Sequence, residues 1–284
     1  MAYAAINYLS CLLIPEAIDP AFATWRGIEL SKNGLGYSAL MLTIIGITAN
    51  SSNFERIFYN KLGKMLALLG AGLTIMAFST TNIIALFVIS SILFLKKVSN
   101  IFILIGSQRF FFNFFLIIIF ILGIITSFYS KEILAQIPGI FGKDTSLTGR
   151  DVIWLYIWSE IKKQFLLGYG YGTYWIMGSH IIDLFTAFAG WRVNEAHNGF
   201  LEILLQLGLI GFIVFVAILF KYTIKAFRND NLPSLLLLTG IVIVNFSESF
   251  IFNPRDIATF LFMLNYLLLH KKDEQYTALK NDFN

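Results

Sequence analysis

The stretch Asn194 to Phe212, NEAHNGFLEILLQLGLIGF, sets a histidine and two carboxylates directly ahead of a long apolar run. An imidazole titrates near neutrality, so His197 is a candidate general base, and Glu195 or Glu202 could orient it. Glu202 stands five residues on, which does not fix it to the same helical face, so Glu195 and Glu248 remain alternatives for that role. Taken alone, a histidine at a helix start is more often a cap or an interface residue than a catalyst. His180 and His270 have only that plain reading. A zinc site needs more ligands at workable spacing than one cysteine and scattered histidines supply, so no metal is expected. Ser179 and His180 lack both a nucleophile elbow and an orienting carboxylate, which excludes a serine-hydrolase arrangement.

The surroundings of these residues are those of an integral membrane protein. Of the 284 residues 57% are hydrophobic and 13% charged, and the mean hydropathy is +0.73, far above the apolar share of soluble domains. Apolar runs at roughly 3–15, 34–49, 62–78, 82–95, 110–128, 198–220, 233–250 and 256–270 predict about eight transmembrane helices in a single membrane domain over 1–284. No alternating pattern suggests a barrel, so the fold class is an all-α polytopic bundle. The N-terminal run lacks a basic leader and a small-residue cleavage site and reads as a retained helix. Cys11, the single cysteine, cannot form an internal disulfide. The net charge of +4 reflects how loops share Lys and Arg and is no argument for nucleic acid.

One set of short connections carries Arg56, Lys61, Lys64, Lys96, Lys97, Arg109, Lys221, Lys225, Arg228, Lys271, Lys272 and Lys280; the opposite set carries Arg26, Lys32 and Arg255. The first set is therefore cytoplasmic, and the long loop 129–197 faces outward. Arg26, Lys32, Arg150, His197, Asn198, Glu202, Glu248, Arg255 and Asp256 then collect at the outer boundary. Polar residues gather at membrane surfaces in any case, but here both charge signs and an imidazole meet at helix ends, as a site at that boundary requires.

Within the long loop, Asp151–Phe165 predicts a helix opened by Thr148 or Asp151, its Trp154, Tyr156 and Trp158 suited to lying along the interface. The following LLGYGYGTYW alternates Gly168, Gly170 and Gly172 with aromatics. No strand precedes it and no Gly-Lys-Ser/Thr follows, so it is not a nucleotide loop; a turn exposing aromatic faces fits sugar rings and headgroups equally. Gly208 and Gly211 are expected to permit close helix packing rather than to touch substrate.

TGRDVIW, LLGYGYGTYW and AHNGFLEILLQLGLIG, in that order, resemble the signature of the O-antigen ligase and polysaccharide polymerase superfamily. WRGIELSKNGLG resembles its earlier Arg-Gly element, with Ser31-Lys32-Asn33 where the family has His-Lys-Asn, and SESFIFNPRD its later Glu-Ser element. The resemblance covers roughly 24–260, and members commonly carry more spans than are marked here.

The resemblance implies a glycosyltransferase needing no metal or other cofactor, acting on the outer face of the bacterial cytoplasmic membrane. Its implied partners are a polyprenyl-diphosphate-linked oligosaccharide donor, a glycan or lipid A core acceptor, and the bilayer. The family's loop arginine falls on Arg150, its histidine on His197 and its earlier arginine on Arg26, with Lys32 a further diphosphate ligand. Glu202, Glu248, Asn198 and Arg255 are supporting candidates. Paired guanidinium hydrogen bonds suit a diphosphate leaving group. Exopolysaccharide or O-antigen polymerase is slightly preferred to ligase. The other class is a flippase or transporter of lipid-linked glycans; charges at one face and no visible repeat argue against it. A non-catalytic member is the remaining alternative.

Overall fold

The computed structural model describes residues 1–19, 23–51, 57–101, 150–176, 193–229, 231–251, 253 and 256–282. Eight α-helices occur among them: α1 (Ala2–Leu13), α2 (Lys32–Ser51), α3 (Ile57–Met76), α4 (Thr80–Ile101), α5 (Arg150–Lys163), α6 (Gly199–Arg228), α7 (Leu232–Val244) and α8 (Ile257–Asp282). The all-α expectation holds, with one small addition: β1 (Ile18–Asp19) pairs antiparallel with β2 (Thr24–Trp25). The expected span at 110–128 and residue Arg255 lie outside the described residues.

Seven of the eight apolar runs coincide with helices, but the ends differ. α4, α6 and α8 continue past their apolar runs through Lys-rich turns, because long straight-chain residues remain good helix formers after the apolar face ends. α7 stops at Val244, short of the expected 250. Asn245 follows it and turns the chain, its Oδ1 accepting the Ile251 N–H at 3.2 Å. By length and composition one described helix, α6, can cross a bilayer; α1, α7, Thr80–Phe94 and Ile257–Leu269 are shorter apolar helices. In α2 the polar Asn33, Ser38, Thr43 and Thr48 dilute the run.

The chain divides into two compact units, 1–96 with 220–244 and 253–284, and 97–219 with 245–252. In the first, Ala4, Ala39 and Leu73 form a core against which Tyr8, Trp25, Leu42 and Leu69 pack. The segment between α1 and α2 is strapped to α1: Ile28 N–H donates to Asn7 Oδ1 at 3.0 Å and Tyr3 Oη to Glu29 Oε1 at 2.6 Å. Arg26 Nε donates to the Glu16 carbonyl at 2.8 Å. Ser31 caps α2, its Oγ accepting the Gly34 N–H at 3.1 Å. Lys32 is the first residue of that helix.

In the second unit, Ile153, Ile157 and Ile161 form one stripe of α5, spaced by four, and bury it against Val193, Ala196 and Leu205. α6 is not one smooth helix. It breaks at Gly208, which has φ 64° and ψ −169°. Residues 165–170 hydrogen-bond across the break: Tyr169 N–H reaches Leu205 O at 2.9 Å, Gly170 N–H reaches Gln206 O at 2.8 Å, and Leu209 N–H reaches Phe165 O at 2.8 Å. A Cβ on Gly208 would fall 2.4 Å from the Leu166 carbonyl carbon, and one on Gly168 2.5 Å from that of Gln206. The close helix packing expected at Gly208 is not what the structure has: the residue breaks the helix and meets this loop's backbone instead, which its left-handed φ and missing Cβ allow.

Candidate functional site

All the groups described next lie within the second unit. Arg150 opens α5, where a cation opposes the positive end of the helix dipole, so its placement needs a carboxylate. Glu248 supplies it. The guanidinium Nη2 donates to Glu248 Oε1 at 2.7 Å, with the two side chains 16% and 8% exposed. The other oxygen, Oε2, lies 3.3 Å from His197 Nδ1. Glu195 Oε1 approaches the same nitrogen at 3.1 Å. One carboxylate therefore joins a phosphate-binding type of group to a proton-transfer type of group across three separate segments.

The local backbone makes this meeting. His197 has φ 48°, in the left-handed region, and reverses the chain just before α6. Asn198 is the N-cap: its Oδ1 accepts the N–H groups of Phe200 at 3.0 Å and Leu201 at 3.2 Å. Gly199 N–H donates to Asn245 O at 2.8 Å and Glu248 O at 3.2 Å, while Asn198 N–H donates to Ser249 Oγ at 3.2 Å. A Cβ on Gly199 would lie 2.0 Å from Asn245 Oδ1, so only glycine lets the two turns lock together. Asn245 and Ser249 were not among the sequence candidates; the polar residues flanking Glu248 were their only signal.

Glu202 does not touch the imidazole. Its Oε2 accepts the Ala196 N–H at 2.7 Å and its Oε1 the Trp175 Nε1–H at 2.5 Å, and Gln206 also donates to it. Gln206 Oε1 in turn accepts the Gly172 N–H at 2.7 Å. Glu202 thus ties the glycine-rich loop to the residue preceding His197, a positioning role. Trp154, expected as an interfacial ring, donates from Nε1 to Ala196 O at 3.0 Å and fixes the same segment from α5. Tyr169, Tyr174 and Trp175 stack edge to face with centroids 5.0 Å apart at each step.

Burial pushes the Glu195 carboxyl up to about 7, the charges of Glu248 and Glu202 adding to the shift and those of His197 and Arg150 opposing it. The folded protein therefore holds this proton more tightly than the unfolded chain. Its contribution to stability is present below the ordinary value of 4.5 and is lost as pH rises through about 7. Thermal unfolding in detergent is expected to show a midpoint that falls across this window, and Glu195→Gln should flatten the decline. A decline of the same size in Glu195→Gln would show that another group causes it.

Glu195, His197 and Glu248 each offer an atom within 4.8 Å of the others, a ligand set of suitable type for a divalent cation. Against that use, the Arg150 guanidinium already neutralises Glu248 at 2.7 Å. Arg26 and Lys32 belong to the first unit.

A family model described as O-Antigen ligase matches residues 65–216, more than half of the chain. Over 136 residues the chain is 33% identical to a protein of Rhizobium meliloti (strain 1021) named exopolysaccharide production protein ExoQ, covering 44% of this chain and 31% of the relative. The chain thus spans about a third of the length of that relative.

Proposed function

The chain belongs to the O-antigen ligase family, and on that premise we propose that it is a multi-pass membrane glycosyltransferase that transfers or polymerises glycan units from a polyprenyl-diphosphate donor. The reading places about eight spans in one membrane domain, with the site on the outer face of the bacterial cytoplasmic membrane. The observation that carries it is the contact of Arg150 and His197 with the two oxygens of Glu248.

In the transfer, an acceptor hydroxyl oxygen attacks the anomeric carbon, the bond from that carbon to the diphosphate oxygen breaks, and polyprenyl diphosphate leaves. Negative charge grows on the leaving diphosphate, and the Arg150 guanidinium stabilises it through paired hydrogen bonds. The hydroxyl proton goes to His197. With Nδ1–H held by Glu248 or Glu195, Nε2 is the basic nitrogen. Glu248 has two tasks: it holds Arg150 in place before the donor arrives and orients the imidazole. Arg26 and Lys32 enter as further diphosphate ligands on the family resemblance, and Arg255 as a supporting group on the same basis. The acceptor, a growing glycan or lipid A core, decides between polymerase and ligase.

The cation-ligating atoms of Glu195, His197 and Glu248 support a second version, in which a divalent ion assists the same transfer. Both versions are tested together. Purified protein with a polyprenyl-diphosphate-linked repeat unit and EDTA is expected to yield a glycan ladder, or transfer to added lipid A core. A product that appears only when a divalent cation is restored would establish the second version. Absence of product with either acceptor, with or without the cation, overturns the transferase reading. Arg150→Lys keeps the charge but loses the planar fork, and its rate should fall roughly tenfold to a hundredfold, the equivalent of about 1.5–3 kcal/mol of charged hydrogen bonding.

A further inference from the structure

The loop after α5 pairs with a helix at a depth where loops are unusual. Between Glu202 and Lys221, α6 is free of charge over residues 203–220. At about 1.5 Å per residue this run is about 27 Å long, close to a hydrocarbon thickness of about 30 Å. Gly208 is the sixth residue of the run, so the break lies about 9 Å along the helix from Glu202. Residues 165–170 are hydrogen-bonded at that level. Their partners are Leu205 and Gln206 on one side of the break and Leu209 and Ile210 on the other, the last through Ile210 N–H to Leu166 O at 3.3 Å.

Backbone outside a helix is tolerated at hydrocarbon depth only where its polar groups are satisfied by protein. The exchange across Gly208 does this: the break releases α6 backbone groups, and the loop pairs with them. The side chains at the tip are apolar and uncovered, Leu166 being 60% and Leu167 71% exposed. On α6, Ile210, whose N–H donates to Leu166 O, is 53% exposed and Ile213 is 58% exposed.

We propose that residues 164–170 form a re-entrant element whose tip, Leu166 and Leu167, inserts among the acyl chains of the leaflet on the Arg150 side. This rests on the reading of α6 as a membrane span. Its consequence is positional: Gly172, at the end of the glycine-rich turn, is tethered through Gln206 and Glu202 to the residue preceding His197.

The test uses nitroxide labels in a Cys11→Ala background, reconstituted into phosphatidylethanolamine and phosphatidylglycerol vesicles. At Leu167→Cys, oxygen collisions are expected to exceed nickel-chelate collisions several-fold, as at Ile213→Cys on the span, while the exposed Asn194→Cys shows the reverse. A Leu167 label that behaves like Asn194 while Ile213 stays lipid-like overturns the re-entrant element alone. If Ile213 also behaves like Asn194, the spanning reading falls with it. On the unaltered chain, a phospholipid with a photoactivatable acyl chain should label the peptide containing 164–170. Labelling of α6 without that peptide overturns the proposal.

Discussion

Glu248→Ala is expected to destabilise the protein and to lower transfer at least about a hundredfold, whereas the double variant Glu248→Ala with Arg150→Met regains most of the stability and none of the activity. The reason lies in the asymmetry of buried ion pairs. Removing one partner leaves a guanidinium only 16% exposed without its carboxylate, at a cost of about 3 kcal/mol or more, whereas replacing both charges by apolar groups is often close to neutral. The single variant also takes away the oxygen that His197 Nδ1 meets at 3.3 Å, so the imidazole loses one of its two carboxylate neighbours. Turnover should fall by two orders of magnitude or more, since positioning and charge are lost together. Thermal midpoints in detergent and single-turnover rates on a lipid-linked donor separate the two effects. Equal stability of the single and double variants would mean that the pair is not held as described; full activity in Glu248→Gln would confine Glu248 to a structural role.

Much of this arrangement was legible in the amino-acid order, and the rest depended on contacts that the order does not display. Arg150, His197 and Glu248 stand in short motifs whose residue types announce their chemistry, and apolar runs marked the helices. The link from Arg150 to Glu248 crosses 98 residues, and no periodicity encodes such a distance. The break in α6 was hidden for a similar reason. LGLIGF is apolar throughout and reads as unbroken helix, while the left-handed turn at Gly208 is stabilised by backbone partners some forty residues earlier. The isoleucine stripe of α5, spaced by four, was not singled out in the sequence. The aromatic residues beside it drew attention to the membrane interface, yet Trp154 serves the site by holding Ala196. Glu202 is a supporting candidate in the sequence, but its partners are not legible there, because an acceptor aimed at the N–H of Ala196 depends on how the chain reverses at His197.

That reversal also decides how the histidine should be tested. His197→Asn is the more informative variant, because asparagine tolerates the left-handed φ of 48° and has no titratable group, whereas alanine there adds backbone strain of its own. Loss of a general base lowers rate by about 10²–10⁴. The expected result is a kcat reduced within that range, with donor KM little changed, because the proposed diphosphate recognition by Arg150 is left in place. Arg150→Lys should show the complementary pattern, with the donor KM raised as well. The thermal midpoint of His197→Asn should stay near that of the unaltered protein, since Asn198, Gly199 and Ser249 hold the turn through backbone and cap hydrogen bonds that do not use the imidazole. Unchanged product formation by a folded His197→Asn protein would remove the imidazole as base. Glu195, at 3.1 Å from the ring and with a carboxyl pushed up to about 7, would then be the group to replace next.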